Sequence, residues 1–208
     1  MKLNKKLLVI TTAIILLPVF VGILLWEQLP ETMVTHWGMQ NEPNGWSSKP
    51  MVVFGIPGIM AAMHFFGLLV TFADPKRSNI GQKAIGIVYW ITPAVSVLVM
   101  GATYAFALGI EVNIGMICCL LFGFILVILG NYLPKAKQNY TFGYKIPWTL
   151  NSEENWNRTH RLAGWLMVIL GIVLMVNAFF LFEWMFIIML PIALAPIVYS
   201  YILYKKGI

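Results

Sequence analysis

Charge is scarce in this chain: Asp, Glu, Lys and Arg make up 11% of its 208 residues, whereas hydrophobic residues make up 60%. A soluble domain carries about a quarter charged residues, so this scarcity, with a mean hydropathy of +0.80, excludes one. Cysteine is nearly absent. Cys118 and Cys119 are the only two and stand side by side in an apolar run, which excludes a disulfide framework and leaves them as small packing residues. The apolar runs do not alternate in polarity, which excludes barrel strands of about 10 residues. No internal repeat of the kind that marks many transporters is found.

What is present is a series of apolar runs with charge only between them. A helix crossing a hydrocarbon core of about 30 Å needs about 20 apolar residues, and six runs meet that length: Leu7 to Trp26, Pro50 to Phe72, Ala84 to Gly109, Ile114 to Leu133, Arg161 to Phe182 and Trp184 to Tyr204. The sequence therefore predicts an all-α integral membrane protein, one six-span membrane domain over residues 1–208. Pro18, Pro57, Pro93, Pro191 and Pro196 lie inside the runs, where neighbouring helices can satisfy the carbonyls that proline frees. The first run follows Lys2, Lys5 and Lys6 as a signal peptide would. It is too long for one, and no small-x-small cleavage site follows before Glu27, so an uncleaved first helix is predicted.

Basic residues are retained on the cytoplasmic side of a membrane. With both termini cytoplasmic, every Lys and Arg of the chain's fourteen except Lys49 falls inside. Glu27, Glu31, Glu42, Glu111 and Glu183 fall outside, and Asp74, Glu153 and Glu154 inside. The net charge of +6 and the isoelectric point near 9.4 thus read as an insertion signal with membrane lipids as the default contact, and no direct nucleic acid binding is predicted. Nothing in the sequence calls for a cofactor or a bound metal.

Two connections are long and lie on opposite faces. The outer one, residues 27–49, carries Pro30 and Pro43, a turn-prone Glu42-Pro43-Asn44-Gly45 stretch, and Trp37 and Trp46, which with Trp26 just before it are aromatic anchors that would fold it onto the bilayer. His36 between Glu31 and Glu42 can be drawn as a metal site, but the spacing is irregular for one; a structural or partner-contacting histidine is the better reading. Three connections are short, Ala73 to Lys83, Ile110 to Asn113 and a turn at Glu183, so helices three and four, and five and six, should form tight antiparallel hairpins.

The inner connection, residues 134–160, belongs to a polar and aromatic island from Gly130 to Trp165 that holds five of the fourteen Lys and Arg and three of the eight Trp. Pro134 ends the fourth helix after Asn131. Tyr140, Phe142, Tyr144 and Trp148 make the segment too aromatic for a flexible linker. Lys145-Ile146-Pro147 is extended or turning, because a residue before proline is pushed out of the helical region. Asn151 and Glu154 have capping-box spacing, and a helix starting near Ser152 should run through into the fifth span. On it Trp156, His160 and Gly164 share one face, with Gly164 open to close approach, while Arg161 and Trp165 share another. On residue chemistry alone this is a membrane-interface anchor, Trp to headgroups and Arg to phosphates.

Rival classes lack their chemistry. A transporter or pump places ionisable groups at membrane depth, yet the span interiors hold no Asp, Glu, Lys or Arg. His64 is the exception and reads as a hydrogen bond to a neighbouring helix; Asn177 reads as interhelical glue. A membrane enzyme using His36 or His160 as base lacks a Ser, Cys or paired carboxylate at motif spacing.

The inner stretch NYTFGYKIPWTLNSEENWNRTHRLAGW closely resembles the hallmark of the SdpI-family membrane proteins: an Asn-aromatic start, a Gly-x-basic-x-Pro-Trp-Thr-Leu core, a Trp and a Thr-His-Arg-x-x-Gly end. The outer stretch LPETMVTHWGMQNEPNGWSSKP resembles the small domain common at the N-terminal side of these proteins. The likeness falls on Asn139, Gly143, Lys145, Pro147, Trp148, Thr149, Trp156, Thr159, His160, Arg161 and Gly164, with Asn131 just before it. It departs at Tyr144, where an aliphatic residue is usual, and at Ile146, where Thr is usual. The resemblance implies a multi-pass protein of the bacterial cytoplasmic membrane that gives immunity to a secreted killing peptide. It also implies sensing of the peptide and retention of a cytosolic transcriptional repressor. Glu31, His36, Trp37, Glu42 and Trp46 are then the toxin-facing candidates, and the inner motif residues the partner platform.

Overall fold

The computed structural model describes residues 3–38, 40–182 and 184–208; Lys2 and the turn expected at Glu183 lie outside the described residues. Six helices among them are long and apolar enough to cross a membrane. Helix α1 spans Lys5–Leu24, α2 Ile56–Ala73, α3 Gln82–Ala107, α4 Ile114–Tyr132, α6 Glu153–Asn177 and α7 Met185–Lys205, with a short α5 at Pro147–Asn151. All six crossing segments follow the apolar runs. The fifth ends at Asn177 rather than near Phe182, because the Asn177 side chain accepts the Phe182 N–H at 3.0 Å and closes the chain over the helix end. A two-stranded antiparallel hairpin, β1 Thr32–Trp37 and β2 Pro43–Ser48, occupies the first long connection. The helical periodicity of the runs carries no signal for it.

The chain groups into two compact units. One contains the residues up to Leu69 together with Val88–Ile117, the other Val70–Ile87 together with Cys118–Ile208. In the first unit α1 is fastened by side chains that donate to its carbonyls: Ser96 Oγ to Ile15 O at 2.9 Å and Tyr104 Oη to Pro18 O at 2.9 Å. Between apolar helices such side-chain donors are the polar contacts that join neighbours. His64, buried, meets Thr11 Oγ1 at 2.9 Å across α1 and α2, the interhelical bond expected of it, while its Nδ1 has no partner.

The hairpin rests on this unit's core. Met33 is buried with Leu29, Val52, Val53, Met100 and Tyr104, and along β2 the alternate residues Pro43, Gly45 and Ser47 face inward while Asn44, Trp46 and Ser48 are exposed. The stretch Glu42 to Gly45 does not make the turn. The turn lies at Gly38 to Glu42, where the Gly38 N–H donates to Glu42 O at 2.8 Å and Asn41 takes φ 63°. Asparagine tolerates that left-handed conformation, and its side chain is needed there: Oδ1 accepts the Ile114 N–H at 2.8 Å and Nδ2 donates to Val112 O at 3.0 Å. At the other end Lys49 is buried, its Nζ 3.1 Å from Trp26 O and 2.9 Å from the Glu31 carboxylate. A π-helical turn at Met51–Gly55 leads into α2 and turns the successive Val52 and Val53 both inward.

In the second unit α4 and α6 approach backbone to backbone. A Cβ on Gly130 would lie 2.7 Å from Gly164 O, and one on Gly171 would lie 2.5 Å from Gly123 O. Each helix spaces its two glycines one heptad apart, which keeps them on one face. Between membrane helices, where apolar side chains gain nothing over lipid, such close packing is a main source of association. Pro134 packs against Gly164, so the end of α4 is part of the same contact.

Gly130→Ala should lower the thermal midpoint of the detergent-solubilised protein, an overpacking cost of about 1–3 kcal/mol. Gly58→Ala, with no atom within 4 Å of the added Cβ, should leave the midpoint unchanged or raise it in the same melting experiment.

Candidate functional site

Between α4 and α6 the chain has no long helix to satisfy its backbone, and side chains take over. Beyond the turn at Leu133–Lys135, the Ala136 carbonyl accepts the Trp156 indole N–H at 2.7 Å. Asn139, wholly buried, then folds the next residues around itself: Oδ1 accepts the N–H of Thr141 at 2.9 Å and of Phe142 at 2.6 Å, and Nδ2 donates to the carbonyls of Lys137 and Phe142. Gly143 follows at φ +122°, and a Cβ there would overlap His160 Nε2. Only glycine suits both the conformation and the space.

His160 receives this turn. Its Nε2 accepts the Tyr144 N–H at 2.9 Å, and its Nδ1 lies 2.8 Å from Trp156 O. An N–H aimed at Nε2 requires a lone pair there, so the proton sits on Nδ1 and the imidazole is neutral. The ring stacks on the Trp156 indole at a centroid distance of 3.8 Å. Burial raises the Tyr144 phenol above its ordinary value, keeping it a donor to Ala193 O at 3.2 Å in α7. Thr149 closes the next turn: its hydroxyl donates to Tyr144 O at 2.7 Å, and its oxygen accepts the Ile146 N–H at 3.2 Å. Ile146 is extended, as the following proline dictates, and Pro147 opens α5.

Ser152, not Asn151, caps α6, accepting the Asn155 N–H. Asn151 is spent as the last residue of α5, so the cap moves to Ser152, and the expected capping box of Asn151 with Glu154 does not form: Glu154 pairs with Arg158 instead. The single helix into the fifth span is present, with Trp156, His160 and Gly164 buried on one face and Arg161 and Trp165 exposed on another. Trp156 is wholly buried, so it is no headgroup anchor; the side of α6 that could serve as one carries Arg161 and Trp165. Thr159 donates to Asn155 Oδ1 at 3.1 Å, and Asn155 Nδ2 reaches Ser200 O in α7 at 3.0 Å.

Of the other motif residues, Trp148 packs on Tyr201 and Tyr204 beside a cleft of about 510 Å³ at the end of α7, its indole N–H without a partner. Lys145, exposed, donates to Thr141 O at 3.1 Å. Asn131 is exposed and takes Lys135 Nζ at 3.4 Å. The sequence reading missed Asp74, Gln138, Asn155 and Ser200. Ser200, the one Ser or Thr of an otherwise apolar and aromatic helix, was the available signal for the Asn155 contact. Asp74 had one too, as the only acid of the short connection before α3.

The toxin-facing candidates sit on or beside the hairpin of the first unit. Trp46 is 58% exposed, and His36 is exposed with Nδ1 on the Asn44 side-chain oxygen. Trp37 packs edge-on against Phe106 at 5.5 Å. Glu42 accepts the Gln40 N–H at 2.9 Å, and Glu31 pairs with Lys49. His36 and Trp46 thus present exposed surface, while Trp37 is part of the packing. Among the described residues no three His, Cys, Asp or Glu side chains converge as a metal would require.

Six crossing helices with a side-chain-stitched motif between the fourth and fifth define a multi-pass membrane protein. Residues 135–203 match the SdpI/YfhL protein family, and residues 13–61 match a domain of unknown function, DUF1648. The chain is 30% identical over 206 residues to a Bacillus subtilis (strain 168) protein named Immunity protein SdpI, covering 95% of this chain and 96% of that one. No solved structure matches. The chain belongs to the SdpI family.

Gly143→Ala should disrupt the Tyr144–His160 bond, at a cost of about 1–3 kcal/mol for the strained backbone. The check is a lower thermal midpoint together with a shifted His160 imidazole signal in nitrogen NMR.

Proposed function

We propose that this chain makes a bacterium immune to a secreted killing peptide. The observation that carries the reading is the full-length likeness to an immunity protein, 30% identity over 95% of the chain. The proposed orientation has both termini in the cytoplasm, following the distribution of Lys and Arg. The hairpin then faces outward, and its exposed Trp46 and His36 are the contact for the peptide, aromatic side chains on a packed support being efficient binding anchors. The geometry of the inner motif favours binding over turnover: both ring nitrogens of His160 are committed to the backbone and the side chain is wholly buried, which leaves this histidine no free nitrogen to act as a base.

A second role, sensing with retention of a cytosolic repressor, is supported by the division of labour within the motif. Asn139, Thr149, Trp156, Thr159 and His160 are buried, whereas Lys145, Pro147 and Arg161 are exposed around them. In this reading the buried set holds the form, and the exposed set is the platform.

Produced in a bacterium sensitive to killing peptides, the chain should allow growth in their presence. No protection against any related peptide, with the protein inserted in the membrane, would sink the proposal. Trp46→Ala should lower the tolerated peptide concentration roughly tenfold or more, a hot-spot loss. Arg161→Ala should leave tolerance intact and reduce the amount of cytosolic partner recovered with the membrane; equal loss of both would make Arg161 a purely structural residue.

A further inference from the structure

The strongest feature that the proposed function leaves unused is Asp74. It lies at the end of α2, outside both segments that match the family models, 13–61 and 135–203, and it is buried. Asp74-Pro75 stops the helix. The carboxylate then turns back on the chain, Oδ1 accepting the Lys76 N–H at 2.7 Å in an Asx-turn. Oδ2 reaches the inner motif, accepting the Tyr140 N–H at 2.8 Å and the Thr141 hydroxyl at 2.8 Å. These are the residues that Asn139 bends from the other side. Two further contacts join the same stretches: Asn79 Nδ2 donates to Gln138 O at 2.7 Å, and Lys76 Nζ stands over the Tyr140 ring at 5.5 Å. A buried carboxylate left with no donors is costly, so these groups hold one another in place.

We infer that Asp74 is the positioning residue of the motif: it sets the conformation of the segment from Lys137 to Lys145, and the platform is built from two stretches of chain, the α2–α3 connection and the motif. The platform half of this inference rests on the proposed function; the positioning half does not. Tyr140, half exposed between Lys76 and the Asp74 contact, is the side chain whose placement depends on it most directly.

The test uses the full chain in detergent and trypsin, which cuts after Lys137 and Lys145 when the segment opens. Proteolysis tracks the population of the open form, and Asp74→Ala removes all three side-chain acceptor contacts. Cleavage at both sites should rise by at least about tenfold, with cleavage after Lys5, Lys6 and Lys205 unchanged. Asp74→Asn, which keeps one acceptor oxygen at the same volume, should give an intermediate rate. Parent-like rates at Lys137 and Lys145 in both variants would overturn the inference. So would equal acceleration at every site in both, which marks a general loss of fold. In cells, Asp74→Ala should retain tolerance of the killing peptide and lose partner recovered with the membrane; unchanged recovery would overturn the platform half. A parent chain that gives no tolerance removes the proposed function and leaves the proteolysis result standing.

Discussion

Backbone amides and carbonyls buried from water have to find partners within the protein, and in the stretch from Ala136 to Ser152 side chains supply many of them. Asn139 serves the backbone on both sides of its turn, His160 takes the Tyr144 amide, Thr149 ties Tyr144 to Ile146, and Trp156 holds Ala136. A hydrogen bond of this kind adds only about 1 kcal/mol net, but a buried group left without one costs more. The set therefore stands or falls together. This explains how Asn139, Thr149, Trp156 and His160, all carrying polar atoms, can be wholly buried.

The stitched segment depends in turn on the contact beneath it. Gly130 and Gly164 bring α4 and α6 together where Pro134 ends the first and the turn of α6 carrying His160 begins its descent. Any side chain at either glycine would meet backbone, and His160 and Trp156 would move with α6. The first unit solves a similar problem by other means. Its α1 is fastened by hydroxyls of α3 on carbonyls near Pro18, and its hairpin is seated by Met33, Asn41 and the buried Lys49.

The proposed function draws on what remains uncommitted: Trp46 and His36 on the hairpin, and Lys145, Pro147 and Arg161 around the motif, are exposed on packed support. The absence of Asp, Glu, Lys and Arg from the span interiors fits the same picture. His64 spends its one bond on Thr11 and joins two helices.

The sequence by itself determined the medium and the crossings, because about 20 apolar residues in a row have one physical outcome in a bilayer, helix. It also determined the extended Ile146, through Pro147, and the shared face of Trp156, His160 and Gly164, through helical period. The hairpin was not legible, since a two-stranded ribbon with Gly45 and Pro43 in one strand has a weak local signal and is held by its support. The cap at Ser152 rather than Asn151 was decided by where α5 ends. Asp74 could not be assigned either. Its partners lie 66 and 67 residues away in the chain, and only tertiary packing, which buries a carboxylate where it must be satisfied, brings it to the motif.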